Sequence, residues 1–257
     1  MTMFRFLSRL RNVRLRSKRN SMSTCLLQLR GLGFVPRGIL DVGASEGKFS
    51  LRVRKIWEDS HILMIDALAE NEPILAAVSA QIGNADYRIA LLGEKETDST
   101  TFFVADTDVR PELGKTGSSK YKENSRLPMK ERRLRQSTLE RIIASQGNYY
   151  DMVKLDVQGA ELDVLHGLGD YISNVEVILM EMSLVNYNDG GPLIDTALSR
   201  LRELGFVLCD IVKEHRFGGR LFQVDGLFVR PTSHFAIAHV PARALVTRRM
   251  GSAGLRG

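Results

Sequence analysis

The chain has 257 residues, 44% of them hydrophobic, with seven prolines and two cysteines, enough apolar material for one sizeable core without calling for a second domain. Cys25 and Cys209 stand far apart and outside any metal-ligand spacing, which argues against a disulfide framework or a zinc site, and no apolar run reaches the roughly 18 residues of a membrane span or forms the core of a secretory signal. The net charge of +6 sits at the ends: residues 1–20 hold seven arginines and lysines, residues 241–257 hold four arginines, and neither stretch has an acid, so taking these eleven from +6 leaves −5 for residues 21–240 and argues against a nucleic-acid-binding face on the folded part. A reduced, cytoplasmic setting is the expectation.

Residues 1–23 form a basic leading segment in which Met3, Phe6, Leu7, Leu10 and Val13 recur at helical spacing among the arginines. The pattern suits peripheral contact of residues 1–20 with an anionic membrane surface, and it equally suits a helix docked on the domain or a disordered tail. The folded domain is expected over residues 24–232, followed by a basic tail over 233–257. Ser21 to Leu32 reads as a helix that stops at the breakers Gly31, Gly33 and Pro36.

Gly38-Ile39-Leu40-Asp41-Val42 then reads as a buried strand, Gly43-Ala44-Ser45-Glu46-Gly47 as a tight turn, and Glu46 to Trp57 as a helix with Phe49, Val53, Ile56 and Trp57 on one face. Glycines at 43 and 47 admit φ > 0 or close approach of a ligand to the backbone, and Asp41 at the end of its strand lies where open α/β sheets bind ligands. The spacing is D-x-G-x-x-x-G, distinct from the G-x-G-x-x-G of dinucleotide binders. His61 to Asp66 is a second buried strand, and it ends in an acid about 20 residues past the turn, the distance at which nucleotide-binding units place a carboxylate on ribose hydroxyls. Glu70 to Gln81 reads as a helix, Asp86 to Leu91 as a third strand and Thr100 to Ala105 as a fourth. Residues 106–136 are polar and rich in breakers, which predicts a loop or lid insertion; Thr116-Gly117-Ser118-Ser119 within it could supply donors to a ligand or be an ordinary solvated loop.

Asp151 to Asp156 is a strand ending in an acid, Gln158-Gly159 a turn, and Ala160 onward a helix that reaches His166 and stops at Gly167. Val175 to Glu181 ends in a further carboxylate, residues 193–204 form an amphipathic helix, and Phe206 to Val212 with Leu221 to Val229 form a hairpin around Gly218-Gly219, which makes the last strand antiparallel. Asp41, Asp66, Asp156 and Glu181 thus all end predicted parallel strands, with Glu161 one helical turn away, and together they define a candidate site.

Leu40-Asp41-Val42-Gly43-Ala44, the block Val153-Lys154-Leu155-Asp156-Val157-Gln158-Gly159-Ala160-Glu161 and Met180-Glu181 together resemble the FkbM family of S-adenosylmethionine-dependent methyltransferases over roughly residues 35–230. The resemblance implies an α/β fold: a seven-stranded, mostly parallel, doubly wound Rossmann-like sheet with its last strand antiparallel. It implies methyl transfer to a hydroxyl, often on a sugar, so that the expected partner is a sugar, glycolipid or small-molecule acceptor; the alternatives are a nucleic-acid methyltransferase, which the acidic folded part disfavours, and a cofactor-binding protein without catalysis. By match of position, Asp41, Gly43, Ala44, Ser45 and Gly47 would form the cofactor loop, Asp66 the ribose contact, and Asp156 the acid beside the reacting centre. Family members commonly carry Asn at the place of Ser45 and Glu-Pro at the place of Asp66-Ala67.

Transfer of a methyl group from a sulfonium needs alignment and a partner for the departing hydroxyl proton, and a carboxylate serves; Asp156 is the first candidate, with Glu161 and Glu181 as supports or alternatives. Other uses remain: Asp156 could hold the cofactor's ammonium, Glu161 could cap its helix, and Glu181 could pair with Lys154. Clustered acids also suit magnesium, although nothing in the spacing demands a metal.

Overall fold

The computed structural model describes residues 21–109, 117–233 and 235. The expectations for residues 1–20 and for the basic tail fall outside these, apart from Ser233, which donates to Glu176, and Phe235, whose ring packs 4.7 Å from that of Phe34. Among the described residues no helix is long and apolar enough to cross a membrane.

Short, almost wholly apolar runs make the central strands. β1 (Gly38–Val42), β2 (His61–Asp66), β7 (Met152–Leu155) and β8 (Val177–Ser183) are buried on both faces, the environment in which parallel strands read as continuous hydrophobic runs. With β3 (Ala85–Ile89), β9 (Val207–Phe217) and β10 (Arg220–Val229) they form a seven-stranded sheet in the order β3-β2-β1-β7-β8-β10-β9. β10 alone runs against the rest, as the hairpin reading and the family resemblance both require.

Successive side chains of a strand point to opposite faces, so the sheet feeds two cores. On one side Leu40, Val42, Leu63 and Ile65 meet helices α4 (Leu139–Gln146), α5 (Glu161–His166) and α6 (Ile194–Glu203). On the other, Ile39, Ile62 and Met64 meet α1 (Met22–Gly31), α2 (Lys48–Arg54) and α3 (Glu72–Ile82); Phe49, Val53, Ile56 and Trp57 are all buried there, as their spacing predicts. Helices on both faces make the fold doubly wound.

Residues 106–136 differ from expectation. Their second part is β6 (Met129–Ser137), the middle strand of a small sheet β4-β6-β5, with β4 (Leu91–Leu92) and β5 (Thr97–Ala105). This strand hides in the sequence because its charges are spent on ion pairs: Arg132 lies 2.7 Å from Glu70, and Lys130 lies 3.0 Å from Asp106 and also pairs with Asp108. Only Gln136 is buried, so there is little apolar alternation to read. The predicted third strand is likewise divided, Ala85–Ile89 going to the main sheet and Leu91–Leu92 to the small one. The sequence reading left out α4 altogether, although Thr138 caps it by accepting from the Arg141 N–H at 3.3 Å and Gly147 ends it at φ +69°.

Candidate active site

β2, β1, β7 and β8 are neighbours and parallel, so their carboxyl ends share one edge, and the turns leaving them wall a cavity of about 420 Å³. Its walls include Gly43, Ser45, Asp66, Asp156 and Glu181, five of the predicted site residues. Asp41, Ala44, Gly47 and Glu161 stand behind the wall, and each has a structural task.

Asp41 is fully buried, accepts from the Ser50 hydroxyl at 2.7 Å and lies 3.1 Å from the Lys154 ammonium. Lys154, also buried, donates to the carbonyls of Val42 at 3.2 Å and Gly43 at 2.8 Å and lies 3.8 Å from Asp156 Oδ2. Burial works against its charge, yet Asp41 and Asp156 outweigh that cost and hold its pKa above the ordinary lysine value. Asp41 therefore acts on the cleft only through Lys154, which laces β1 to β7, and it is Lys154's pairing with these two aspartates that replaces the predicted alternative of a pair with Glu181.

The glycines serve packing more than ligand approach. Gly43 has φ +71°, and a Cβ there would come within 1.9 Å of the Asp156 carbonyl oxygen, so the turn after β1 can lie against the end of β7 only without a side chain. At Gly47, φ +69°, a Cβ would sit 2.9 Å from Val78 Cγ1, where α2 starts against α3. At Gly43 protein backbone fills the space that a side chain would need.

Asp66 keeps its predicted place. Its Oδ2 accepts from the Ser45 N–H at 2.8 Å, and its Oδ1 from the Leu68 N–H at 2.9 Å and from Asn71 Nδ2 at 3.0 Å. Three donors fix the carboxylate at the cavity wall, two of them on Oδ1, which leaves accepting capacity on Oδ2. Asn71 was not singled out in the sequence; a carboxamide one 3₁₀ turn beyond the acid was the available signal. Ser45 adopts φ +50°, a conformation that asparagine tolerates better than serine.

Across the cavity, Asp156 and Glu181 are joined by Gln158, whose Nε2 donates to Asp156 Oδ1 at 3.1 Å and to Glu181 Oε1 at 2.8 Å. Gln158 has φ +55°, a strained backbone held where it places a side chain in the cleft. Glu161 props the loop from behind by accepting from the N–H groups of Val157 at 2.9 Å and Gly159 at 3.0 Å, so it is a positioning residue and not part of the cavity wall. Burial pushes its carboxyl up to about 7, against the pull of those N–H donors. The Glu181 carboxyl lies well above the usual range as well, through burial first and then the charges of Asp156, Glu161 and Asp225. His166 lies off the cleft against Arg200, with 2.8 Å between the two nitrogens.

Two loops close the remaining side. Ser119 donates its hydroxyl to the Gln158 carbonyl at 2.7 Å, Tyr121 donates to Asp163 at 2.9 Å, and Asn188 donates to the Tyr121 carbonyl at 3.3 Å. Residues 117–128 are thereby clipped over the loop that carries Gln158. Of the predicted donors in this insertion, Ser119 uses its hydroxyl on protein, and Thr116 lies outside the described residues.

Fold and site together define a methyltransferase-type α/β domain. The family model of the methyltransferase FkbM domain matches residues 41–208, which is more than half of the chain. The chain belongs to the FkbM methyltransferase family. No curated protein matches the chain. Among solved structures it is similar to a methyltransferase FkbM from Methylobacillus flagellatus KT, with 14% identity over 75% of this chain and 43% of that one and a TM-score of 0.47. It is also similar to the N-terminal domain of EvdMO1 with SAH bound, at 13% identity, 81% and 80% coverage and a TM-score of 0.47. An O-methyltransferase family protein from Burkholderia thailandensis matches at 12% identity, 81% and 55% coverage and a TM-score of 0.43. The chain spans less than half the length of the Methylobacillus protein.

Proposed function

We propose that the chain methylates a hydroxyl group of a sugar, glycolipid or small-molecule acceptor, with Asp156 at the reacting end of the cleft. The observation that carries this reading is the carboxylate–amide–carboxylate chain Asp156, Gln158, Glu181, facing the cavity across from Asp66.

The cavity suits S-adenosylmethionine. Asp66, oriented by three donors, can accept from ribose hydroxyls; Leu68, Ala90, Leu91 and Phe102 offer an apolar wall for the adenine; and the acids at the other end suit a cationic sulfonium and ammonium. When bound, the cofactor supplies an electrophilic methyl group whose transfer neutralises a positive charge. The protein's share is alignment and a place for the proton. Asp156, with its side chain 46% exposed and its Oδ1 on Gln158, is the reachable acceptor for the hydroxyl proton, while Glu181 and Gln158 offer polar atoms that orient the hydroxyl.

Labelled cofactor mixed with sugar, lipid and small-molecule fractions should mark a hydroxyl-bearing acceptor, and methyl groups found on nitrogen or carbon would overturn the O-methylation reading. With that acceptor, Asp156→Asn should lower the single-turnover rate about 10² to 10⁴-fold at saturating cofactor while leaving cofactor affinity nearly intact. A wild-type rate would refute the role of Asp156 as base.

A further inference from the structure

At the far end of the main sheet, side chains that the methyl-transfer chemistry above leaves unused gather beside Glu181. Antiparallel pairing sets Asp225 of β10 opposite Glu181 of β8, and Gln223, two residues earlier, opposite His215 of β9. Residues two apart on a strand share a face, so these side chains gather on one side of the sheet. Glu181, His215 and Gln223 line the cavity, and Asp225 backs it with 8% of its surface exposed.

Their spacing is that of a ligand set. His215 Nε2 lies 2.9 Å from Asp225 Oδ1 and 3.5 Å from Glu181 Oε2, and one ligand atom from each of the three residues falls within 4.8 Å of the others. Two ligands bonded to one ion at about 2.0–2.2 Å stand at most about 4.4 Å apart, a span that both distances from His215 satisfy. The Glu181 carboxylate is also held in advance. Its Oε1 accepts from Gln158 Nε2 at 2.8 Å and from Gln223 Nε2 at 2.9 Å, which fixes its rotation and leaves Oε2 for the side where His215 lies. Outer hydrogen bonds of this kind orient the ligands of metal sites. Two carboxylates converge on one imidazole with Asp156 one amide away, and Lys213, in register with Asp225 and on the same cavity wall, offsets part of their charge; a dication would offset the rest.

We propose that Glu181, His215 and Asp225 form a binding site for one divalent transition cation at the acceptor end of the cleft. One imidazole with two carboxylates favours manganese or zinc over magnesium, which seldom takes nitrogen ligands. A cation there could polarise an acceptor hydroxyl, and only this use rests on the methyltransferase reading. The site itself rests on the ligand geometry.

The test is titration of the full chain, without cofactor, by manganese chloride, with free manganese read by electron paramagnetic resonance. One saturable site per chain is expected. His215→Gln and Asp225→Asn, both close in size to the native side chains, should each weaken uptake at least tenfold with the thermal unfolding midpoint little changed. Absence of saturable uptake by the wild-type chain, or uptake retained in both folded variants, would overturn the site. Calorimetry of S-adenosylmethionine binding is a separate measurement, so failure of the methyltransferase reading would show there and leave the manganese result standing.

Discussion

The two halves of the cleft are built from different materials. On the β1–β2 side, backbone does most of the shaping: the N–H groups of Gly43 and Ala44 both donate to the Ile65 carbonyl, at 2.9 and 3.0 Å, and the Ser45 N–H reaches Asp66. On the β7–β8–β10–β9 side, side chains hold side chains, through Gln158, Glu181, Gln223, His215 and Asp225. A backbone-built wall changes little when one side chain is exchanged, provided its dihedral angles stay allowed. A side-chain network depends on every member, because a buried polar group that loses its partner keeps its full desolvation cost.

Lys154 ties the halves together, and its removal should have the largest effect. Lys154→Met would leave Asp41, fully buried, without its cation, and two carbonyls without their donor. Uncompensated buried charges of this kind cost about 3–5 kcal/mol. Urea unfolding of Lys154→Met should show a loss of that order. Adding Asp41→Asn should return a good part of it, since the neutral amide still meets Ser50; a double variant no more stable than the single one would show that the ion pair is not the reason for the loss.

Glu161 gives the acceptor half a pH dependence. Its folded-state pKa of about 7 lies above the ordinary glutamate value of 4.5, so between those pH values the folded chain holds a proton that the unfolded chain has released. Stability contributed in this way is full at low pH and is lost as pH rises through 7, by about 3 kcal/mol at most. Glu181 is shifted in the same direction and adds to the slope. Unfolding midpoints measured from pH 5 to pH 8 should therefore fall, and Glu161→Gln, whose carbonyl can still accept from Val157 and Gly159, should flatten the curve. An equal slope in that variant would remove Glu161 as its source.

The same contrast explains what could be read from the sequence. Asp66 and the glycine turn were legible because their partners lie within about 20 residues and their spacing is fixed by one β-loop-α unit. Asp156 and Glu181 were legible as strand ends. Their surroundings were not: Asp225 meets Glu181 only through the register of β10 on β8, and His215 only through β9 on β10, pairings that no local pattern encodes. Glu161 carried a local signal, an acid in the first helical turn, which fits capping as well as catalysis; its carboxylate instead accepts from the loop N–H groups of Val157 and Gly159, ahead of the helix, partners that the local pattern does not name. The strand β6 was masked by its own ion pairs.

The smallest expected effect separates the halves most finely. Each contains one non-glycine residue in the left-handed region, Ser45 at φ +50° and Gln158 at φ +55°. At Ser45 the described role belongs to the backbone N–H, which donates to Asp66, so asparagine should keep that bond while relieving a backbone conformation that costs most side chains about 1 kcal/mol. Ser45→Asn should raise the thermal unfolding midpoint by up to about 3 °C and leave cofactor affinity unchanged. At Gln158 the same change relieves the same strain but shortens the amide by one methylene, withdrawing Nε2 from Asp156 and Glu181. Gln158→Asn should therefore lose turnover whatever happens to its stability. If instead Ser45→Asn weakens cofactor binding while Gln158→Asn leaves turnover intact, the division into a backbone-built wall and a side-chain-built wall is wrong, and the serine hydroxyl is a ligand contact in its own right.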